Sequence, residues 1–585
     1  MTRFPCLPSR RIRQWALAFV LQILCTAMAL AENIEIDLDA PKEVQTLLRQ
    51  HVRLLRMAPG DIPAPGPDRA ALLRRARHEI ADLLATEGYF SSRIRIDRSN
   101  SENWRLTVEL GERAMVAAVD IRFQGELGNG GQEAQCENLR RDWAMPAGAP
   151  FRQVDWEDAK QALLDTLQRE RYAAAKFVST KAGVDAAAAR VRIDITVDSG
   201  PVFRFGALEV SGLHDLPPDF VARYNTLKEG DIYSRRDLLA FQESLQTAPQ
   251  LSVAVVSIDP DPQKAAAVPI RVAVTEAIPQ RLGFGLGISS NTGYRAETSY
   301  RHVNLFGRGW ELASGLRLEQ RRQSAYADLF LPPEQARHRD SAGVSFERSN
   351  LEGLRIYTGA AGLARNIRRD DIETQIAMRV QREEIHPEDA ETSSYNTLTL
   401  NWGWVRRAVD NVLNPRSGHV LEIQLGGGIG LSAQARNFTR AYGRYLHYFS
   451  FSRRSVLILR SEAGATLART RDGVPQDFLF RAGGTQSVRG YAYRSLGATE
   501  GSATVGGRYL ATASMEFVRW IKANAGMAVF IDSGDAADSR TSFAAHTGYG
   551  FGARWLSPAG PLAIDLAWPR NGKRPRLHFG VEVAF

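Results

Sequence analysis

The chain has 585 residues, with 74 basic against 65 acidic side chains and a net charge of +9. Apolar residues make up 44% and charged residues 24%, a globular mix that excludes collagen, coiled-coil rods and wholesale disorder. Three cysteines exclude a small disulfide scaffold, and the length suggests about four domains.

Residues 1–31 carry Arg3, Arg10, Arg11 and Arg13 and no acid. An apolar run from Trp15 to Leu30 follows, with Ala29-Leu30-Ala31 before Glu32. A charged start, apolar middle and small-residue exit predict a secretory signal peptide over 1–31. Its removal takes away Cys6 and Cys25 and leaves Cys136 alone, so no internal disulfide is expected. It also removes four of the positive charges, and no Lys/Arg block marks a nucleic-acid patch. No later stretch is apolar enough for a spanning helix. An exported chain of this kind is periplasmic, secreted or a β-barrel.

The first half contains a repeat of roughly 80–90 residues. Gly148-Ala149-Pro150-Phe151 with Asp155 matches Gly230-Asp231-Ile232-Tyr233 with Asp237. In each copy a glycine turn leads to an aromatic residue and a helix start. Ser234 with Asp237 forms a capping box, and Asp155 is placed to cap its own helix. Apolar positions recur at helical spacing: Leu72, Leu73, Ala76, Ile80, Leu83 and Leu84, then Trp156, Ala159, Leu163 and Leu167, then Leu238, Phe241 and Leu245. Alternating strands close each unit at 106–110, 193–197 and 270–274. Gly125 and Gly212 end the strands that open units two and three. The order β-α-α-β-β resembles the POTRA domain, with units at 32–114, 115–201 and 202–278. One mixed α/β enzyme domain is the alternative, although nothing in these units looks catalytic. A small sheet with a free edge can accept a visiting strand.

Of the 49 glycines, 35 lie after residue 280. The stretch 279–585 reads as short alternating strands between polar turns. At about 19 residues per strand plus loop, it accommodates a 16-stranded antiparallel transmembrane β-barrel with spans of about 9–11 residues. Leu421, Ile423, Leu425 and Ile429 oppose Glu422, Gln424, Gly426, Gly428 and Gly430. Leu562, Ile564, Leu566 and Trp568 oppose Ala563, Asp565 and Ala567. Asn414–Gly418 reads as a hairpin turn. His578, Gly580, Val583 and Phe585 end the chain on an alternating aromatic strand, which resembles the terminal signal read by outer-membrane assembly machinery.

Three further runs carry a family resemblance: Val488-Arg489-Gly490-Tyr491, then Gly506-Gly507 with Ser514-Met515-Glu516-Phe517, then Phe530-Ile531-Asp532-Ser533-Gly534. With the POTRA-like units, these resemble the Omp85 superfamily of outer-membrane assembly and secretion proteins, and three units are most like its TamA branch. The resemblance implies a loop folded into the barrel, with Arg489 meeting Asp532 and Glu516 on the inner wall. It implies a weak lateral seam between the first strand, whose Gly283, Gly285 and Gly287 face inward, and the last strand around Gly580 and Phe585. It also implies a TamB-type inner-membrane-anchored partner, unfolded outer-membrane clients of the autotransporter type and contact with outer-membrane lipid. The barrel is expected in the outer membrane and the repeats in the periplasm, with no nucleic acid, enzyme activity, metal or cofactor. The glycine run at 283–287 lacks the lysine and helix of a nucleotide loop. Other readings are a two-partner-secretion export pore, a conduit aiding phospholipid transport, a passive porin and a barrel enzyme.

Overall fold

A computed structural model of the protein describes residues 34–99, 103–334, 338–557, 560–572 and 574–581. The expected signal peptide and Phe585 lie outside the described residues.

In the first repeat, Trp104, Leu106 and Val108 of strand Asn103–Glu109 meet the apolar faces of helices Lys42–His51 and Pro67–Thr86. Those faces carry Val44, Leu48, Leu73, Ala76, Ile80 and Leu84 at helical spacing. The strand is central, parallel to Glu35–Asp39 and antiparallel to Arg93–Asp97. The second repeat has the same plan, with Arg190–Asp198 between Met115–Gln124 and Lys176–Asp185. Its helices Glu133–Arg141 and Gln153–Arg169 bring together Trp143 and Trp156 edge to face, 6.2 Å apart, and Cys136 is buried and unpaired.

Two details differ from expectation. Asp155 does not cap its helix: the helix starts at Gln153, so Asp155 lies within the first turn, 3.8 Å from Arg152. In the third repeat the first helix shrinks to a single 3-10 turn, Val221–Tyr224. Pro217 and Pro218 leave the preceding segment short of donors. Ser234 does cap helix Arg235–Gln246, accepting from the Asp237 N–H at 3.3 Å. The third sheet orders Phe205–Ser211, Val268–Glu276 and Leu251–Ile258 with Val268–Glu276 in the centre.

The described chain falls into two compact units. One holds the first two repeats with Lys228–Asp237 and Ile258–Pro269, and the other holds Leu208–Leu227, Leu238–Ser257 and the chain from Ile270 on. In the second unit, Gln250 Nε2 donates to the Gly309 carbonyl at 2.7 Å and Asn304 Nδ2 to the Asp215 carbonyl at 3.0 Å. Parts of the third repeat are thereby bonded to a barrel hairpin.

The barrel is one antiparallel sheet of 16 strands among the described residues, in chain order from Gln280–Ser289 to Arg576–Val581. Strands reach 17 residues at Ser393–Val409, longer than the expected span, because several extend beyond an apolar belt. Alternation sets the two faces. Phe284 and Leu286 point outward, 80% and 91% exposed, while Gln381, Glu383, Thr397 and Thr399 are buried inside. So much outward apolar surface suits lipid rather than water.

Glu276, at the end of the third repeat's central strand, ties down the chain after the opening strand. Burial raises its carboxyl, but N–H groups of His214, Asp215 and Leu216 donate to it at 2.7, 3.0 and 3.0 Å and hold it below the ordinary carboxylate value. Glu276→Ala is expected to cost about 1–2 kcal/mol, given its partial exposure. Hydrogen exchange at 214–216 reads this as faster exchange at neutral pH. The difference from the unsubstituted protein fades as pH falls through the depressed carboxyl.

Candidate functional site: an ion cluster under an infolded loop

The segment between strands Ser455–Leu467 and Tyr509–Trp520 folds into the lumen. Phe480, Ala482, Val488 and Leu496 pack with Leu510 and Ala536 of the wall, so apolar burial brings the loop in. At its tip Arg489 is 2% exposed. A guanidinium at that depth needs carboxylate partners.

Three carboxylates receive it. Nε and Nη2 of Arg489 donate to the two oxygens of Asp532 at 2.7 and 2.9 Å, a bidentate fork. The Arg489 backbone N–H adds a third bond to Asp532, at 3.0 Å. Nη1 donates to Glu516 at 2.6 Å and to Asp565 at 2.9 Å. Arg554 lies on the far side of the same acids, donating to Glu516 at 2.6 Å and to Asp565 at 2.5 Å. Ser514 donates to Asp532 at 2.6 Å. The Phe530 ring lies under Arg489, its centroid 3.4 Å from Cζ.

Five successive strands build this wall. Glu516 comes from Tyr509–Trp520, Asp532 from Ala525–Ala537, Arg554 from His546–Ser557, Asp565 from Gly560–Pro569 and His578 from Arg576–Val581. Ladder register aligns them: Ser514 faces Asp532, Asp532 faces Gly548, and Asp565 faces His578. Gly548 matters because a side chain there would strike the Arg489 carbonyl. Gly490 is needed twice over, for its φ of +94° and because a Cβ would meet the backbone of Trp568 and Pro569. Its N–H donates to His578 Nε2 at 2.9 Å.

Val488, Arg489, Gly490, Glu516, Phe530 and Asp532 are thus brought together. Tyr491 sits beside them, edge-on to His546 at 5.3 Å, with its hydroxyl 3.4 Å from the Thr547 carbonyl. Gly534 lies further along the Asp532 strand, close against the backbone of Ala511 and Thr512. Asp565 and Arg554 are members that no motif singled out, and His578 was singled out only as part of the terminal signal, not as a partner of the loop. Asp565 and His578 carried the further signal of inward position on alternating strands.

The seam residues are distributed differently. Gly283, Gly285 and Gly287 face Ser299, Glu297 and Arg295 of the neighbouring strand Gly293–Leu305. Gly580 pairs with Ala563. Among the described residues the first and last strands share no backbone ladder. The Ser290 hydroxyl, in the turn after the first strand, bonds the main chain of Phe579.

Arg489→Ala removes the shared partner of three buried acids, a change of roughly 3–5 kcal/mol. The loop is expected to become cleavable by added protease near 480–495, while the barrel still inserts and keeps its heat-dependent gel shift. A loop as resistant as that of the unsubstituted protein would contradict this.

A family model described as the Omp85 superfamily domain matches residues 280–585. The chain is 23% identical over 398 residues to the outer membrane protein assembly factor BamA of Nitratidesulfovibrio vulgaris, covering 63% of this chain. It spans about half, 49%, of that curated relative. The solved BamA of Haemophilus ducreyi lacking POTRA domains 1–3 superposes with a TM-score of 0.67 at 15% identity, covering 80% of this chain and 98% of that one. CdiB from Acinetobacter baumannii superposes with a TM-score of 0.45 at 14% identity, over 80% and 89% of the two chains. The match at 280–585 takes in more than half of the chain, which therefore belongs to the Omp85 superfamily and forms an outer-membrane β-barrel preceded by POTRA-like α/β repeats.

Proposed function

We propose that this protein helps insert or secrete β-barrel proteins of the autotransporter type through a lateral seam between its first and last strands. The observation that carries the reading is the contrast in pairing. Strands Leu354–Arg369 and Ile372–Pro387 are laddered along their full 16 residues. Among the described residues, which end at Val581, the last strand pairs with its inner neighbour over six residues and makes no ladder with the first. In lipid an unpaired backbone group has no water to turn to. A client strand that pairs with such an edge gains hydrogen bonds worth far more than they would be in water.

The first strand suits this role. Its glycines leave the middle of the inner face without side chains, and its outer face carries exposed Leu282, Phe284, Leu286 and Ile288. The lumen loop argues against a wide passive pore, because its apolar core packs against the inner wall. The action makes and breaks no covalent bond, so the reading needs no catalytic residue and no cofactor.

TamA-like work with a TamB-type, inner-membrane-anchored partner is the finer form of the proposal. The first repeat has edge strands at Glu35–Asp39 and Arg93–Asp97, either of which could take a partner strand in the periplasm. Lipid of the outer membrane would line the opened seam.

Cysteines introduced as Ser290→Cys with Phe579→Cys test the seam directly. Oxidation is expected to cut client insertion at least tenfold in reconstituted vesicles, and reduction to restore it. Full activity of the completely cross-linked protein would reject lateral opening.

A further inference from the structure

Strand direction fixes which end of the barrel faces the outside. The chain passes from the periplasmic repeats straight into the first strand at Gln280, and successive strands alternate in direction. Turns that follow odd-numbered strands therefore lie at the far, extracellular end. Strands His338–Leu351, Leu354–Arg369 and Ile372–Pro387 are the fifth to seventh, so Glu352, Gly353 and residues 388–392 lie at that end.

Alternation sorts the side chains next to these turns. Ser349, Leu351, Ile356, Gln381 and Glu383 are buried on the lumen side. The intervening residues point outward, among them Phe346, Arg348, Arg355, Tyr357, Gly359 and Arg382. Glu384 is the one acid among outward positions 344–350, 355–361 and 380–386, and it accepts from Arg382 at 2.9 Å. An outward arginine can be closed by an acid across the ladder, as Arg365 is by Asp340 through two bonds of 2.7 Å. Among the described residues neither Arg348 nor Arg355 has a carboxylate within ion-pair reach. Arg348 instead faces Tyr357, with its Cζ 5.7 Å from the ring centroid. Below these cations the wall is apolar. Leu316, Ala325, Phe346 and Gly359 line an open groove, bordered by Arg348, Tyr357 and Arg382. Phe346 lies across Gly359, where a Cβ would stand 3.4 Å from the ring and crowd the groove.

We propose that this outward groove seats a lipid with two phosphates at the ends of a disaccharide, the lipid A class of the outer leaflet. One phosphate is held by Arg348 and Arg355 and the other by Arg382, with an acyl chain along Phe346 and Leu316. The site lies away from the first and last strands and does not depend on how they join.

Charge and depth select an anionic lipid. Guanidinium forks match phosphate oxygens bidentately, and basic pockets at headgroup level with an apolar floor suit such a ligand. An outward arginine costs little at interfacial depth, so the patch persists without acidic partners from the protein. Spacing selects the headgroup. Phe346, Gly359 and Arg382 form one row across the ladders, and Arg348 lies two residues nearer the turn. Two strand spacings and one two-residue step separate Arg348 from Arg382 by about 12 Å along the sheet. The single phosphate of a glycerophospholipid reaches only one of these cations at a time. Two phosphates across a disaccharide reach both.

The test titrates the full-length protein, stripped of lipid in detergent, with three probes in mixed micelles: bisphosphoryl lipid A, monophosphoryl lipid A and phosphatidylglycerol. Native mass spectrometry counts the lipid retained. Bisphosphoryl lipid A is expected to bind more tightly than either other probe by about fivefold or more. Arg348→Ala and Arg382→Ala are each expected to abolish that margin, and Arg365→Ala, nearer the periplasmic end, to leave it intact. All three side chains point outward, so heat-dependent gel migration should stay unchanged, marking an intact barrel. Equal binding of the three lipids by the unsubstituted protein would overturn the proposal and reduce the patch to ordinary interfacial charge. A margin that survives Arg348→Ala combined with Arg382→Ala would overturn it as well.

Discussion

A single guanidinium organises the inside of this barrel. Arg489 is held by Asp532, Glu516 and Asp565, and Arg554 supplies the second positive charge to the same group. Each charge in this cluster is costly to bury, and the geometry of its partners decides whether the cost is met. Five hydrogen bonds to Arg489, one of them from its own backbone, meet it by fixing the loop in one position. Replacing the cluster with apolar side chains could match its stability. It could not match its directionality, because a fork and three carboxylates admit only one placement of the loop tip.

Much of the architecture was legible because it depends on period and punctuation. Helical spacing at Trp156, Ala159, Leu163 and Leu167 matches the buried positions of that helix. The alternation at 562–568 separates outward Ile564 from buried Ala563, Asp565 and Ala567. Cap position was less legible. Asp155 and Asp237 occupy matching places in the repeat, but only Ser234 precedes its helix with a hydroxyl at the right distance. A capping pattern fixes which groups could meet, and the exact starting residue decides whether they do.

The ion cluster divides along the same line. The meeting of Arg489 with Asp532 and Glu516 was legible only as what the family resemblance of their motifs implies. Asp565, Arg554 and His578 belong to strands whose neighbours across the sheet depend on ladder register, which alternation does not reveal. Alternation placed Asp565 on the inner face, and it took the pairing of Asp565 with His578 to bring it under the loop tip. Ser290 was less legible still. It lies in a turn, shows no periodic pattern, and gains its partner only because the barrel curls round to present Phe579.

These features combine into one constraint on the join. A barrel in lipid gains most of its stability from ladders that leave no backbone group unpaired. A seam built from a full ladder would be as hard to part as any other strand pair. A seam with nothing across it would leave polar backbone facing lipid. The Ser290 hydroxyl shows how a single side chain can satisfy the N–H and C=O of one residue, Phe579, at this join. Gly283, Gly285 and Gly287 lie against Ser299, Glu297 and Arg295 within the ladder to Gly293–Leu305. The buried hydrogen bonds of the ion cluster tie together the five strands under Arg489.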